Sequence, residues 1–170
     1  MMDHEGIRSI LLRSIRKLIE KDLFLVTNKV KEECINHRLG VYLEKALLSS
    51  YKEGPDYNVD LEYNKNYTNP KEIITDKGEL RIRPDILIHK RNSFENLLAV
   101  EAKKLYPSRY DREKLEHLLK PPYNYEVTAL VSYLPEREYM KVTIRTKDKT
   151  DELKISKFEH DKDEPWGRNL

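Results

Sequence analysis

Acidic and basic side chains in the middle of the chain have the types and spacing that phosphodiester hydrolysis requires. Asp85 precedes a short apolar run, and a second apolar run leads into Glu101-Ala102-Lys103. Side chains alternate faces along a strand, so Glu101 and Lys103 should project from one face and Ala102 from the other. Two carboxylates can hold a divalent cation, and a neighbouring ammonium can stabilise the charge on a phosphate. The three charged side chains therefore predict a metal-dependent hydrolytic site.

Pro84 suggests how Asp85 reaches the neighbouring strand. Proline has no N–H to donate to a sheet ladder, so we expect a bulge or a splayed strand at this point. Such a bend would aim Asp85 at the strand end that carries Glu101 and Lys103. The separation of sixteen residues between Asp85 and Glu101 suits a tight hairpin.

The chain contains a second copy of each half of this pattern. Pro55-Asp56 repeats the proline–aspartate pair, and Glu152-Leu153-Lys154 repeats the acid-any-lysine tripeptide, but both lie in turn-like sequence. Only Pro84-Asp85 and Glu101-Ala102-Lys103 fall in adjacent strand-like runs. The alternative is that two unrelated charges at strand ends form a salt bridge.

Mg²⁺ suits the predicted pair of carboxylates, because it prefers oxygen ligands and usually takes only one or two from the protein. We expect Asp85 and Glu101 to be its ligands, with the backbone carbonyl of Ala102 as a third; Mn²⁺ is an alternative ion. Lys103 would orient the nucleophile and stabilise the transition state. A role for Lys103 as the base stays open.

Composition predicts one soluble domain over residues 1–158, followed by a charged tail over 159–170. The single cysteine, Cys34, and the absence of a signal-peptide pattern favour a reducing, cytoplasmic setting, and no run is long enough to cross a membrane. The net charge of +2 gives no strong global attraction for polyanions. Nucleic-acid contacts would need a local basic patch, for which the candidates are Arg81, Arg83, Lys90, Arg91, Lys103, Lys104, Arg109 and Arg112.

Hydrophobic spacing predicts two helices in the first fifty residues, joined by a connection at 22–28. A turn at Gly54-Pro55-Asp56 follows. Beyond it we expect a loop over 66–76 and a helix over 110–120 that Ser108 caps and Pro121-Pro122 ends. The expected strands span 57–64, 80–89, 97–103, 127–134, 139–145 and 153–158, with a hairpin turn over 90–96 and a polar turn over 147–152.

Glu32 lies on the apolar stripe of the second helix when residues are placed at 100° intervals, together with Ile35 and Leu39. A carboxylate on a buried stripe needs a cation or a metal-bound water as its partner, because uncompensated burial is costly. The alternative is a solvated Glu32 near the helix start, where the helix dipole favours negative charge.

Most of residues 30–134 resemble the PD-(D/E)xK nuclease superfamily, which has the restriction-endonuclease-like fold, and in particular a group of small bacterial members. The resemblance is carried by Glu32-Glu33-Cys34-Ile35-Asn36-His37-Arg38-Leu39, Tyr42-Leu43, Asp60-Leu61-Glu62-Tyr63-Asn64, Pro84-Asp85, Glu101-Ala102-Lys103, Asp111 and Lys114-Leu115. It implies an α/β fold with a central mixed sheet flanked by helices, an N-terminal helical pair, and Mg²⁺-dependent cleavage of DNA. It also implies a catalytic acid five residues before His37, which again selects Glu32.

Four further positions are weaker candidates for contacts with nucleic acid. Arg83, Lys104, Lys114 and His37 could bind phosphate, although Lys114 could instead pair with Asp111 and His37 could be structural.

Glu62 is a possible accessory acid on a strand face that it shares with Asp60, but a solvated strand face explains both residues nearly as well.

The sequence therefore predicts a metal-dependent endonuclease that acts on duplex or branched DNA, with RNA not excluded. The alternative is a catalytically silent nucleic-acid-binding or assembly module on the same fold. Cleavage of both strands of a duplex usually needs two sites, which makes a homodimer a reasonable expectation.

Overall fold

The computed structural model describes residues 2–50, 56–66, 68–76, 78–91 and 93–158. Within these ranges the chain forms three helices: α1 (His4–Thr27), α2 (Glu32–Ser50) and α3 (Arg109–Leu118). The strands are β1 (Asn58–Leu61), β2 (Lys65–Asn66), β3 (Asn69–Pro70), β4 (Glu72–Thr75), β5 (Gly78–Arg81), β6 (Ile86–His89), β7 (Asn96–Lys103), β8 (Val127–Ser132), β9 (Tyr139–Arg145) and β10 (Thr150–Ser156). Gly54, Pro55 and the tail from Glu159 lie outside the described residues.

Six strands form one mixed sheet in the order β1-β6-β7-β8-β9-β10. The neighbours in this sheet are antiparallel except for β7 and β8, which are parallel. Parallel neighbours require a crossover connection, and α3 lies within the segment that joins them. The expected α/β class with a central mixed sheet is confirmed.

Helices cover both faces of this sheet. The larger core joins α1 and α2 to one face, where residues such as Leu11 and Leu43 belong to the same buried cluster as Val100 and Val142. The smaller core lies on the other face, where Leu115 of α3 belongs to a cluster with neighbouring strand residues. Both helical layers therefore hold β7 between them. Among the described helices, none is both long and apolar enough to span a bilayer.

The first helix is longer than its sequence pattern indicates, and the predicted connection over 22–28 was wrong. α1 runs to Thr27 and bends at Asp22, whose φ of −131° is non-helical. The Asp22 carboxylate accepts hydrogen bonds from Arg38 Nε at 2.8 Å and from the Tyr42 hydroxyl at 2.5 Å. The chain continues as helix after the bend because Val26 is fully buried in the core.

Several strand predictions need correction. The strand expected over 57–64 is β1, which ends at Leu61, so Glu62, with a φ of 52°, does not share a strand face with Asp60. The expected loop over 66–76 contains β2 in part, β3 and β4, which form two short hairpins with β2–β3 and β4–β5 pairing. The expected strand over 80–89 is divided between β5 and β6, which belong to different sheets, and Pro84 lies in the break. Short, exposed strands bury too little apolar surface to leave a clear alternating pattern. The hairpin of β6 and β7, the Ser108-capped helix and strands β8 and β9 lie close to their expected positions. β10 begins at Thr150, inside the turn expected over 147–152.

Lys71 is a buried cation beside the β4–β5 hairpin. Its ammonium lies 5.0 Å from the ring centre of Tyr63 and 5.8 Å from that of Tyr123, and it donates a hydrogen bond to the carbonyl of Lys65. The side chain is almost fully shielded, at 3% relative exposure. Burial lowers the pKa of Lys71 to about 8, since desolvation disfavours the charged amine.

We expect stability to rise with pH because of Lys71. Between pH 8 and pH 10.5 the unfolded chain keeps a proton that the folded chain has lost, so unfolding becomes less favourable as the pH rises. Between pH 7 and pH 10 the gain should be about 2 kcal/mol, since most of the pKa difference falls within this range. Urea unfolding of the wild type and of Lys71→Met at pH 7 and pH 10 measures it, with the variant as control. Parallel pH profiles for the two proteins would contradict the prediction.

Candidate functional site

Asp85 lies at the end of an irregular stretch between β5 and β6. Its carbonyl accepts a hydrogen bond from the Glu62 amide at 2.9 Å, and its carboxylate Oδ2 accepts one from the Ala102 amide at 2.7 Å. The contact crosses from the start of β6 to the end of β7, which are antiparallel neighbours. The backbone of β7 thus holds Asp85 at the strand end where Lys103 lies.

Glu101 is the most deeply buried acid of this region, at 1% relative exposure. Its Oε1 lies 2.9 Å from Nζ of Lys103 on the same strand face, and its Oε2 lies 2.6 Å from Nζ of Lys114 on α3. Buried carboxylates are tolerated only with such compensation. Each carboxylate oxygen of Glu101 therefore faces an ammonium group.

The Lys103 ammonium lies at the centre of four carboxylates. Besides Glu101, its Nζ lies 3.6 Å from Asp111 Oδ1, 3.8 Å from Glu32 Oε1 and 4.0 Å from Asp85 Oδ2. We call these four acids the carboxylate cluster. Glu32 comes from the first turn of α2 and Asp111 from the first turn of α3, so both lie where helix dipoles favour negative charge.

Hydrogen bonds fix the two helical acids of the cluster. Glu32 Oε2 accepts from the Lys104 amide at 2.7 Å, which ties the start of α2 to the end of β7. Asp111 and Ser108 form a capping box, in which Asp111 Oδ2 accepts from the Ser108 amide at 2.8 Å. The expectation that a partner compensates Glu32 agrees with these contacts; its side chain is 29% exposed rather than fully buried.

Burial, neighbouring charges and hydrogen bonds shift the pKa values of the acids in the cluster in different directions. Burial raises the pKa of Asp85, although the Ala102 amide opposes the shift. Burial also raises the pKa of Glu101, and the nearby charge of Asp85 adds to it. Burial alone would raise the pKa of Asp111, but the hydrogen bonds from Ser108 outweigh it and lower that pKa.

Burial and the neighbouring acids shift the pKa of Lys103 in opposite directions. Desolvation alone would lower its pKa, but the hydrogen bond to Glu101 and the charges of the other carboxylates raise it well above the usual value. Lys103 is therefore a firmly protonated ammonium as long as the acids around it are ionised. This charge state suits stabilisation of a phosphate better than proton abstraction.

The charges of the cluster are unbalanced in a way that fits a divalent cation. Four carboxylates face two ammonium groups, so full ionisation leaves two negative charges. Oxygen donors are those that Mg²⁺ and Mn²⁺ accept. In the described part of the chain, no group of three or more acidic, histidine or cysteine side chains is already arranged around a metal position. An ion held by Asp85 and Glu101 would have to replace an ammonium contact of Glu101.

The remaining predicted site residues lie at different distances from the cluster. Ala102 contributes its amide N–H, through the bond to Asp85. Lys114 is buried and pairs with Glu101, whereas one sequence-based alternative paired it with Asp111. The Lys104 ammonium donates to the Lys29 carbonyl at 2.9 Å.

Three predicted residues lie outside the cluster. Arg83 and Glu62 are exposed and pair with each other at 3.3 Å, and His37 is exposed on α2. Several members of the expected basic patch also pair with nearby acids: Arg81 with Glu72, Lys90 with Glu95, Arg91 with Asp60 and Arg109 with Glu113.

Sequence reasoning missed two features of the site. Asp111 was quoted among the residues that carry the resemblance and as a partner of Lys114 but not as a site acid, yet it is the fourth carboxylate around Lys103. The second is a buried hydrogen bond from the Tyr133 hydroxyl to Asn36 Oδ1 at 2.7 Å. The amide of Tyr133 also donates to the Lys103 carbonyl at 2.8 Å, so this tyrosine anchors the end of β7. The capping pattern of Ser108 and Asp111 was the one available signal for the position of Asp111.

Comparison of the chain with protein-family models, with curated proteins and with solved structures found no significant match. The resemblance to the PD-(D/E)xK superfamily therefore remains an expectation from the quoted motifs. The geometry of the carboxylate cluster is the basis for the function proposed below.

We expect Lys114→Met to lower the free energy of unfolding by about 3 kcal/mol, because it leaves Glu101 buried with one partner fewer. Glu101→Gln in the same chain should recover most of the loss, since no charge is then left unpaired. Urea denaturation of the two single variants and the double variant measures the coupling. Equal losses for Lys114→Met alone and for the double variant would contradict the prediction.

Proposed function

We propose that this protein is a metal-dependent nuclease that hydrolyses DNA phosphodiester bonds at the carboxylate cluster. One observation carries the proposal: Asp85, Glu101 and Glu32 come from three separate segments of the chain and converge on the ammonium of Lys103. These are the residues that the sequence motifs single out for the chemistry. A salt bridge between two unrelated strand ends does not account for a third and a fourth acid at the same point.

The arrangement assigns each side chain a part in the reaction. Asp85 and Glu101 would hold the divalent ion, which supplies electrostatic stabilisation of the phosphate and lowers the pKa of a bound water. Lys103 is partly exposed, at 28% of its side chain, so its ammonium can contact a phosphate that arrives from solvent. Glu32 positions Lys103 and, through the Lys104 amide, the end of β7.

The depth of the acids indicates the direction from which a substrate enters. The Glu101 side chain is 2% exposed and lies at the base, whereas Glu32 and Lys103 are each more than a quarter exposed. A polyanion would therefore meet the ammonium first and the buried acid last. DNA, the substrate that the resemblance implies, is such a polyanion.

A silent binding or assembly module is the second candidate, and one observation favours it. Both oxygens of Glu101 already lie within ion-pair distance of an ammonium group, although the contact of Oε2 with Lys114 is not aligned as a hydrogen bond. A protein that only binds nucleic acid needs no free ligand position at Glu101. The two candidates differ in whether Mg²⁺ or Mn²⁺ binds to the cluster.

We expect Asp85→Asn and Lys103→Ala each to reduce DNA nicking in Mn²⁺ by about 100-fold or more, since each removes a group that acts on the transition state. An asparagine side chain would keep an oxygen for the Ala102 amide, so Asp85→Asn should fold normally. Nicking of supercoiled plasmid is the measurement. Asp56→Asn and Lys154→Ala are matched controls from the second copies of the motif and should act like wild type.

Equal inertness of the wild type, Asp85→Asn and Lys103→Ala on single-stranded, duplex and branched DNA and on RNA would overturn the nuclease proposal. Activity that survives in both variants would overturn it as well, because it would arise elsewhere.

Metal binding should stabilise the folded protein. A ligand that binds only the folded chain adds about 2.7 kcal/mol at a hundred times its Kd. We expect Mn²⁺ or Mg²⁺ to raise the Tm of the wild type in a thermal melt, and to raise that of Asp85→Asn much less. A wild-type Tm that neither ion changes would favour the silent module.

A further inference from the structure

A cavity of about 60 Å³ lies between α3 and strands β8 to β10, on the sheet face that carries Glu101. Its lining comes from α3 and from strands β8, β9 and β10: Arg112, Leu115, Thr128, Leu130, Thr143, Arg145, Thr150 and Glu152. A single water needs about 15 Å³ of such space, so the cavity has room for a group larger than one water. None of these residues belongs to the carboxylate cluster.

The polar lining is rich in hydrogen-bond donors. It includes the guanidinium groups of Arg112 and Arg145 and the hydroxyls of three threonines. Thr128 is 1% exposed, and its hydroxyl has no hydrogen-bond partner among the described residues. Buried hydroxyls are nearly always paired, with protein or with a bound molecule. Because Thr128 lines the cavity, a ligand bound there is one way to pair its hydroxyl.

The acidic groups near the cavity already have cationic partners. Glu152 pairs with Lys141 at 3.0 Å, and Glu116 pairs with Arg145. The Nε of Arg145 also donates to the Thr150 hydroxyl at 3.2 Å, which orients the guanidinium. The guanidinium of Arg112 forms no ion pair with the described residues, so a positive charge is left over. Arginine and hydroxyl donors around a small cavity are the chemistry that binds a tetrahedral oxyanion such as phosphate.

The strand register sets the distance from the cavity to the cluster. Leu130 on β8 is the direct neighbour of Glu101, and Thr143 on β9 is the direct neighbour of Leu130. Neighbouring strands are about 5 Å apart, so Thr143 lies about 10 Å from Glu101 across the sheet. A nucleic-acid strand whose phosphate lies at Lys103 can place another phosphate at this distance.

We propose that the cavity binds a backbone phosphate of the nucleic acid, a short distance along the strand from the phosphate that is cleaved. The assignment of the phosphate to nucleic acid rests on the proposed nuclease function. Phosphate binding itself rests only on the cavity and its donors. Arg112 and Arg145 supply the charge, and the Thr128 hydroxyl supplies the buried donor.

The first experiment uses inorganic phosphate as the probe, measured by calorimetric titration of the full chain. Thr128→Val removes the hydroxyl with little change in volume, and Arg112→Gln removes the charge; each should weaken phosphate binding about tenfold. Arg8→Gln changes the same charge on α1, which packs on the opposite sheet face, and should bind phosphate like wild type. Wild type that binds no phosphate, or variants that bind it as well as wild type does, would overturn the proposal.

The second experiment identifies the source of the phosphate. The binding of a short fluorescent DNA is followed by anisotropy at several salt concentrations in EDTA, so that no cleavage occurs. Arg112→Gln should lower the slope of log Kd against log salt concentration by about 1, as the loss of one phosphate contact requires. A normal slope combined with weakened binding of inorganic phosphate would mean that the cavity binds a free anion, and would overturn its role for nucleic acid.

The two proposals can fail separately. Asp85→Asn should lose nicking and keep the binding of inorganic phosphate, because it changes neither the cavity nor the Lys103 ammonium. Absence of nicking in the wild type, together with phosphate binding that depends on Thr128 and Arg112, would end the nuclease proposal and leave the oxyanion site. Normal nicking with no phosphate binding would end the proposal of an oxyanion site and leave the nuclease proposal.

Discussion

The site depends on a positive charge at the end of β7. Glu101 is buried and Asp85 largely so, and the charge of Asp85 raises the cost of ionising Glu101. In the structure Lys103 supplies a cation that both acids contact, and Lys114 and the Ala102 amide add to the compensation. Since buried ion pairs rarely contribute more stability than apolar residues of similar size, the cluster is a costly way to build a core. Its cost is easier to understand if the charges serve binding or chemistry.

The topology explains why the acids meet. Parallel pairing of β7 with β8 requires a crossover, and the crossover contains α3, whose first turn delivers Asp111 to the face that carries Glu101. The start of α2 reaches the same strand end, where Glu32 accepts from the Lys104 amide. Each acid is thus held at the end of a regular element or by backbone hydrogen bonds. Positions of this kind vary little, which is what a site for a small cation needs.

Local patterns were enough to predict much of this arrangement. Strand alternation placed Glu101 and Lys103 on one face, and the helical stripe singled out Glu32 as an acid that needs a partner. The position of Lys114 could not be predicted in this way, because its contact with Glu101 depends on how α3 packs on the sheet. The short hairpins and the extension of α1 past Asp22 were missed for a similar reason. Tertiary contacts leave no periodic pattern in the sequence, and the contacts of Asp22 with Arg38 and Tyr42 at the bend of α1 are an example.

Lys103 also limits how the cluster can work. An ammonium that contacts four carboxylates neutralises part of the charge that a divalent ion would otherwise meet, so metal binding and the Lys103–Glu101 contact compete. Lys114 shares the compensation of Glu101 and can maintain it if Lys103 turns toward a phosphate. The second lysine thus gives the first one freedom to move without leaving Glu101 uncompensated. For the proposed nuclease, the buried Lys114 would therefore be a positioning residue, and the more exposed Lys103 would contact the phosphate.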